Sequence, residues 1–371
     1  MKKTSDAVRV HEDVVVLVPG FLGFSLIGRF PYFADRVPAT VAALLRERWG
    51  RDLALVPATT VPTGSLRARV EELGRFLARL ESLGGKRFYL AGHSTGGVDA
   101  QLLGCTAPFW GGAWEAYVAS AREKIQSVVT ISAPHHGTCL VGSRAVQFLS
   151  HPKPSELGAF LKACAPLVSL AGKDVTQIRS ILDLAPQQWP DAWRFLFSVL
   201  RHHELFEELR PEAMEALRAS VTADPRIALT CFATGADVQT GPDRTSDAFY
   251  TELHGFGCDT APSAQVEANI ERLSGAPEPL WIRSPETQVL RVTADTNDGV
   301  VNTARQILDG AEIGGVAVAD HADVLGDYDR MDIATGEPMN TGIFRSGAEF
   351  GDDEFVELYR RVARALDRKV R

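Results

Sequence analysis

The feature that most constrains the fold is a strand that leads through a glycine-flanked serine into a helix. An apolar run at residues 88–91 predicts a buried strand, and residues 98–103 have helical character. Between them lies Gly92-His93-Ser94-Thr95-Gly96, a G-x-S-x-G pentapeptide. A serine on so sharp a turn has strained backbone angles, and the flanking glycines make room for it. The pattern predicts a hydroxyl exposed at the carboxyl end of a sheet, beside a helix N-terminus that favours negative charge.

Apolar runs alternate with helical patterns over much of the chain. This alternation predicts an α/β fold, a mostly parallel, doubly wound sheet with helices on both faces. Strands are predicted at 14–18, 53–61, 88–91, 125–132, 227–234, 289–293 and 314–319, and helices at 38–49, 65–83 and 352–366. Residues 241–285 are rich in Gly, Pro and Asp and are predicted to be irregular.

The alternation of strand and helix patterns stops in residues 139–224, where helical apolar patterns dominate and no strand is predicted. We interpret this span as a helical cap inserted into a core that comprises residues 1–138 and 225–371. Its aromatic stretch at 189–197 mostly packs inside the cap on this interpretation. A cap shares one surface with the pocket beneath it, so some of these side chains are expected to contact a bound substrate.

Composition excludes several classes of function. The chain has 39 Lys and Arg against 47 Asp and Glu, and a net charge of −8 disfavours nucleic acid or anionic lipid as a partner. No apolar signal region follows Met1–Thr4 and no stretch is long enough to span a membrane, which predicts a cytoplasmic protein. The five cysteines are scattered without metal-type spacing, so single free thiols are expected. No cofactor is predicted.

A serine hydroxyl needs an adjacent base to act as a nucleophile, and the base needs an orienting acid. Nine histidines compete for the role of base. His321 follows the last predicted strand on a polar loop, where this fold would deliver a base above the serine. His135 and His136 could border the site but precede any plausible acid, and His93 would point away from the serine.

Two aspartates of one loop compete for the role of acid. Asp298 precedes a glycine in a tight turn that could fix its carboxylate against an imidazole, whereas Asp295 is expected to brace the loop. Along the chain the order is Ser94, Asp298 and His321, that is, serine, acid and histidine. This order matches that of one hydrolase fold and differs from both orders found in serine proteases.

Two backbone N–H groups are needed to stabilise the negative charge that develops on a carbonyl oxygen during attack. Thr95, directly after the serine, supplies one of them by position. Phe21, in the loop after the first strand, is predicted to supply the other, with Leu22 as the alternative.

Five ordered segments resemble landmarks of the bacterial lipases and esterases of the α/β-hydrolase fold. They are 18–23 (VPGFLG), 92–97 (GHSTGG), 132–137 (SAPHHG), 297–301 (NDGVV) and 320–323 (DHAD). The resemblance covers the predicted core and implies a triad of Ser94, Asp298 and His321. The first segment often carries His-Gly in that family, whereas Pro19-Gly20 stands here. This departure removes an imidazole and keeps the backbone donor.

Several of these lipases also hold a structural calcium through an aspartate two residues after the histidine, the position of Asp323 here. Asp327 and Asp329 are close by, but no distant partner carboxylate is found. A solvated acidic loop is the preferred interpretation, and no metal is predicted.

The sequence thus predicts a serine hydrolase that cleaves carboxylic esters through an acyl-enzyme. A large apolar cap favours medium acyl chains, lipid-like esters or aliphatic polyesters. An acyltransferase, amidase or lactonase could use the same triad, since fold and triad do not set the leaving group. A non-catalytic binding module of the same fold is the remaining hypothesis.

Overall fold

A computed structural model of the chain describes residues 11–21, 26–27, 30–50, 53–142, 204–240, 246–326, 328, 330–331, 338–339 and 344–368. The strands are β1 (Asp13–Val18), β2 (Leu26–Ile27), β3 (Phe30–Pro31), β4 (Ala54–Pro57), β5 (Arg87–His93), β6 (Ile125–Ile131), β7 (Ala228–Gly235), β8 (Trp281–Ile282), β9 (Glu312–Val318), β10 (Arg330–Met331) and β11 (Pro338–Met339). The helices are α1 (Arg36–Trp49), α2 (Leu66–Ser82), α3 (Thr95–Leu103), α4 (Ala116–Arg122), α5 (Glu204–Glu208), α6 (Pro211–Ser220), α7 (Ala248–Gly257), α8 (Ala264–Ser274) and α9 (Asp352–Leu366).

One sheet organises these elements. Its strands follow the order β4-β1-β5-β6-β7-β9-β8, and every neighbouring pair is parallel. The pairs β2–β3 and β10–β11 are short antiparallel ribbons outside it. Since parallel strands end at the same edge, the loops after β1, β5, β7 and β9 meet at the carboxyl edge of the sheet. The predicted α/β class and parallel sheet are confirmed.

Strand β1 shows why the run of valines is continuous. All six of its residues are buried, because the sheet is covered on both faces. Val15 and Leu17 lie in one apolar cluster with α1 and α9, and Val14, Val16 and Val18 lie in a second cluster with α2 and α3. Alternate residues of one strand therefore supply both cores.

The ends of the first two helices follow local signals in the sequence. Helix α1 stops at Gly50, which takes the left-handed conformation at φ 60° that a glycine adopts without steric cost. Helix α2 starts after Ser65, whose hydroxyl accepts a hydrogen bond from the Ala68 N–H at 3.2 Å.

Two sequence predictions are wrong in the part of the chain near β8, the edge strand beside β9. Residues 289–293 are not a strand; they bury Leu290 and Val292 without sheet partners. The edge beside β9 is taken instead by β8, through the pairs Trp281–Val316 and Ile282–Ala317. The predicted irregular span 241–285 contains β8 and the helices α7 and α8. The apolar pattern of α7 is interrupted by Gly255 and Gly257.

Most of the predicted cap, residues 143–203, lies outside the described residues. At its two ends the structure describes a 3-10 turn at Cys139–Gly142 and the helices α5 and α6. Leu205, Phe206 and Met214 of these helices are buried in the same cluster as Val16 of β1. This part of the chain therefore packs against the core.

Within the described part of the chain, no helix is both long enough and apolar enough to cross a lipid bilayer. Four cysteines are described, and all are free thiols. Cys105 and Cys231 are buried, and Cys139 and Cys258 are partly buried.

Helix α9 supplies a test of the core. Leu358 is 0% exposed in the cluster between α9 and the sheet. Leu358→Ala should lower the free energy of unfolding by about 2–5 kcal/mol, because truncation of a buried leucine leaves a cavity. The control is Leu83→Ala, since Leu83 is 37% exposed. Urea unfolding measures both variants, and equal losses would contradict this account of the core.

Candidate active site

Ser94 occupies a strained turn between β5 and α3. Its backbone angles are φ 55° and ψ −134°, a region that residues with a side chain rarely adopt, and α3 begins at the next residue. A Cβ on Gly92 would overlap the carbonyl oxygen of Gly96, and a Cβ on Gly96 would overlap that of Val18. Glycine at these two positions therefore lets the turn lie directly against the end of β1, as the pentapeptide predicts.

Asp298 is a fully buried carboxylate held from several sides. Its Oδ1 accepts hydrogen bonds from the N–H groups of Val300 at 3.0 Å and Val301 at 2.7 Å. Its Oδ2 lies 2.6 Å from the Thr234 hydroxyl and 3.2 Å from the Gln306 amide nitrogen. The tight turn through Gly299, at φ 89°, lets consecutive backbone N–H groups converge on one oxygen.

His321 pairs with this carboxylate. Its Nδ1 lies 2.8 Å from Asp298 Oδ2, and its backbone N–H donates to the Asp298 carbonyl at 3.0 Å. Since a carboxylate is an acceptor, the Nδ1 atom carries the proton of this bond. The neutral ring is then unprotonated at Nε2, where it can act as a base.

The loop after β9 reaches back across the sheet to the serine turn. His93 directly precedes Ser94, and its Nε2 lies 3.0 Å from the His321 carbonyl oxygen. The centroids of the His93 and His321 rings are 4.6 Å apart. Ser94 is 5% exposed and His321 is 8% exposed. Among the described residues, the Ser94 hydroxyl makes no hydrogen bond to the imidazole. The structure thus joins Asp298 directly to His321, and links Ser94 to His321 through the neighbouring residue.

The tautomer of His93 follows from its two contacts. Nε2 faces a carbonyl oxygen and must donate, so Nδ1 accepts the proton of the Tyr32 hydroxyl, 2.7 Å away. Burial, together with the nearby His321, holds the His93 pKa well below its usual range, so the ring stays neutral. His93 is therefore a buried support for the backbone of His321.

The two predicted backbone donors are on the segments that flank the serine. Phe21 follows β1, and its ring packs on Phe206 with centroids 5.1 Å apart. Thr95 is the first residue of α3. In the described structure neither of these N–H groups makes a hydrogen bond. Leu22, the alternative donor, lies outside the described residues.

The other candidates lie elsewhere. Asp295 is exposed, and its carbonyl accepts a hydrogen bond from the Asn297 side chain at 2.8 Å, consistent with a bracing role. His135 is buried with its Nε2 3.0 Å from the Thr130 hydroxyl on β6, and burial lowers its pKa well below the usual range. His136 is buried beside it, and burial lowers its pKa as well.

The interpretation of Asp323 as part of a solvated acidic loop is wrong. Asp323 is buried, and its Oδ2 accepts a hydrogen bond from the Asp320 N–H at 2.8 Å, so the carboxylate stabilises its own turn. Asp327 and Asp329 lie outside the described residues. Within the described ranges, no group of three or more His, Cys, Asp or Glu side chains could hold a metal ion.

Sequence reasoning missed the polar residues that support the site. Thr234 and Gln306 contact Asp298, Tyr32 contacts His93, and Arg69 contacts the loop before Phe21. For Arg69 a signal exists in the sequence: it falls on the apolar face of α2, between Leu66 and Leu73. A charged residue at such a position is buried with a partner.

The serine turn yields a stability prediction. Gly92→Ala should lower the free energy of unfolding by about 3 kcal/mol, because the clashing atom belongs to the backbone and cannot rotate away. The matched control is Gly255→Ala in α7, where nothing lies within 4 Å of an added Cβ. This control should be neutral or stabilising by up to about 1 kcal/mol. Thermal unfolding compares the two, and a Gly92→Ala protein as stable as the control would contradict the packing described.

A second prediction concerns Asp320, the neighbour of His321. Burial raises the pKa of this carboxyl to about 7, above its value of about 3.9 in an unfolded chain. The folded protein therefore binds more protons between these values, and stability falls as pH rises through that range. Asp320→Asn removes this titration and keeps an oxygen for the Ala322 and Asp323 N–H groups, which lie at 3.0 Å.

The variant should therefore gain stability relative to the wild type as pH rises from 4 to 7, by at most about 1.4 kcal/mol per pH unit. Urea unfolding at pH 5, 6, 7 and 8 measures the difference. A difference that is the same at every pH would show that Asp320 does not titrate in this range in the folded protein.

Comparison with known proteins agrees with this architecture. No protein-family model matches the sequence, and no curated protein matches it. EstA from Clostridium botulinum is similar in structure, with a TM-score of 0.55 and 17% identity over 98% of this chain and 89% of that one. The Staphylococcus hyicus lipase is similar with a TM-score of 0.50 and 15% identity, over 99% of this chain and 98% of that one. At such identities the likeness concerns the fold: this chain has the α/β-hydrolase fold.

Proposed function

We propose that the protein is a serine hydrolase that cleaves carboxylic esters through an acyl-enzyme. Ser94 is the nucleophile, His321 the base and Asp298 the acid that orients it. The observation that carries the proposal is the 2.8 Å hydrogen bond between His321 and a fully buried Asp298 at the sheet edge that also holds the strained Ser94 turn. A strained residue beside a paired histidine and carboxylate is typical of a nucleophile.

The proposed mechanism depends on which ring nitrogen of His321 is unprotonated. Asp298 keeps the proton of His321 on Nδ1, so Nε2 takes the proton of the Ser94 hydroxyl as its oxygen attacks the ester carbonyl. The imidazolium that forms is stabilised by the Asp298 carboxylate, which is itself fixed by the contacts described above. His321 then donates the proton from Nε2 to the leaving alcohol as the ester bond breaks. Water repeats the sequence and releases the acid.

The oxyanion of the tetrahedral intermediate is assigned to the backbone N–H groups of Phe21 and Thr95. Both lack a partner within the described residues, which supports this role. The removal of one donor of this kind from other enzymes lowers kcat by about 10²–10³. The N-terminus of α3 adds a favourable dipole at the same place.

An ester as the bond that is cleaved is supported by the neighbours in structure, one of which is a lipase. Medium-chain, lipid-like or polyester substrates form the finer part of the proposal. They rest on the inserted helical cap that is proposed for residues 139–224, whose described end α5 contacts Phe21 through Phe206. The side chain of Phe21 then lies between the cap and the oxyanion site.

The test is hydrolysis of p-nitrophenyl butyrate by Ser94→Ala. We expect kcat to fall by about 10⁴–10⁶ with the thermal unfolding curve unchanged, because the nucleophile is lost and the fold is not. Asp298→Asn should cost about 10⁴ in kcat, since the amide favours the wrong tautomer of His321.

The matched control is Ser220→Ala, at an exposed serine on α6, which should keep wild-type activity. Labelling of the wild-type protein by a fluorophosphonate, absent from Ser94→Ala, would confirm the nucleophile independently of the substrate. A Ser94→Ala protein that keeps its rate would end the proposal.

A further inference from the structure

Arg69 is a charged residue where α2 should be apolar. Its side chain is 0% exposed, and so is that of Asp99 on α3, with which it forms an ion pair at 2.7 Å between Nη2 and Oδ2. The Arg69 Nε donates to the same carboxylate at 3.0 Å. Withdrawing two charges from water carries a large desolvation penalty, and apolar residues of similar volume are often as stabilising as a buried ion pair. Stability alone therefore does not account for this pair.

Most of the other contacts of Arg69 are made with one loop. Nη2 lies 2.9 Å from the Gly20 carbonyl oxygen and 3.2 Å from that of Pro19. Nη1 lies 3.4 Å from the Phe21 carbonyl oxygen and 3.1 Å from that of Val61. The guanidinium thus contacts three consecutive carbonyls of the loop that follows β1.

These contacts fix the direction of the Phe21 N–H. The Gly20 carbonyl and the Phe21 N–H belong to the same peptide group, which is planar and trans, so the two point in opposite directions. With the Gly20 carbonyl held by Arg69, the Phe21 N–H must point away from the guanidinium. A rotation of this peptide plane would break the 2.9 Å bond.

Arg69 also contacts the segment of the second donor. Nη2 lies 3.3 Å from the Thr95 hydroxyl, and Asp99 lies one turn further along α3. One planar, rigid group therefore connects the loop of Phe21 to the helix that begins at Thr95. A lysine has one nitrogen and no such fork, so it could not keep both sets of contacts.

We propose that Arg69, oriented by Asp99, is a positioning residue that sets the oxyanion hole. It holds the Gly20–Phe21 peptide plane and the start of α3 in one fixed relation, so that the two N–H groups converge on the same oxygen. The inference rests on the proposed function. The proposed effect of Arg69 is one of geometry and not of charge, because the Asp99 carboxylate, 2.7 Å away, neutralises the guanidinium.

The experiment compares Arg69→Lys, Arg69→Met and Asp99→Asn with the wild type in hydrolysis of p-nitrophenyl butyrate, with rates divided by the folded fraction from circular dichroism. Both Arg69 variants should lose 10²–10³ in kcat, the loss found for a missing oxyanion donor, with KM within threefold. Asp99→Asn keeps the shape and should lose about tenfold. Affinity for butylboronic acid, which forms a tetrahedral adduct with a serine, should fall by the same factor as kcat.

The matched control is Arg122→Met. Arg122 and Asp224 form another buried pair at 2.7 Å, with side chains 6% and 4% exposed, and Arg122 holds the Cys105 carbonyl after α3. This variant should lose stability, as the Arg69 variants do, yet keep the kcat and the boronate affinity of the wild type. A structural role of Arg69 alone would make the two arginines behave alike.

A folded Arg69→Lys protein with kcat and boronate affinity within threefold of the wild type would overturn the inference. If neither Arg69 variant folds, Asp99→Asn decides: lower kcat at unchanged KM supports positioning, and unchanged kcat refutes it. Failure of the proposed function has a different signature, since the wild-type protein itself would then neither hydrolyse the ester nor be labelled at Ser94.

Discussion

The structure depends on the close backbone packing where β1, β5 and α3 meet. Gly92 and Gly96 leave no room for a side chain, and the serine between them is held at φ 55°. Strain of this kind, of order 1–3 kcal/mol, persists only where the surroundings over-determine it. Here they do so through fully buried strands on either side of the turn. The same contact brings the loop after β1 beside the start of α3, so one packing constraint sets both the proposed nucleophile and its proposed oxyanion donors.

Around this turn the polar residues form two separate networks. One centres on Asp298 and joins β7, the loop after β9 and the 3-10 turn at Thr303–Gln306. The other centres on Arg69 and joins α2, α3 and the loop after β1. The first network fixes His321, the proposed base, and the second fixes the loop and helix that carry the proposed oxyanion donors. Each is buried, where hydrogen bonds are strong and an unmatched polar group is costly.

What the sequence predicts well is what short-range physics decides. Continuous valines give β1, Gly50 ends α1, and the glycine-flanked Ser94 gives the turn. The sequence fails where the outcome depends on competition between distant segments. Residues 289–293 have the composition of a strand, yet Trp281 and Ile282 occupy the edge of β9. The partners of Asp298 were missed for a different reason, since a threonine or glutamine has no pattern that marks it as a ligand of a carboxylate, whether it lies 64 or 8 residues away.

Two fully buried carboxylates in this site show that burial alone does not set the role of a group. Asp320 accepts hydrogen bonds from the backbone N–H groups of Ala322 and Asp323 and has no cationic partner among the described residues, and burial raises its pKa. Asp298 is buried as well, but its Oδ2 accepts a hydrogen bond from the His321 imidazole. The donors gathered around Asp298 hold both of its oxygens in place against the imidazole, and they explain why this aspartate, and not the one beside His321 in sequence, is the proposed acid of the triad.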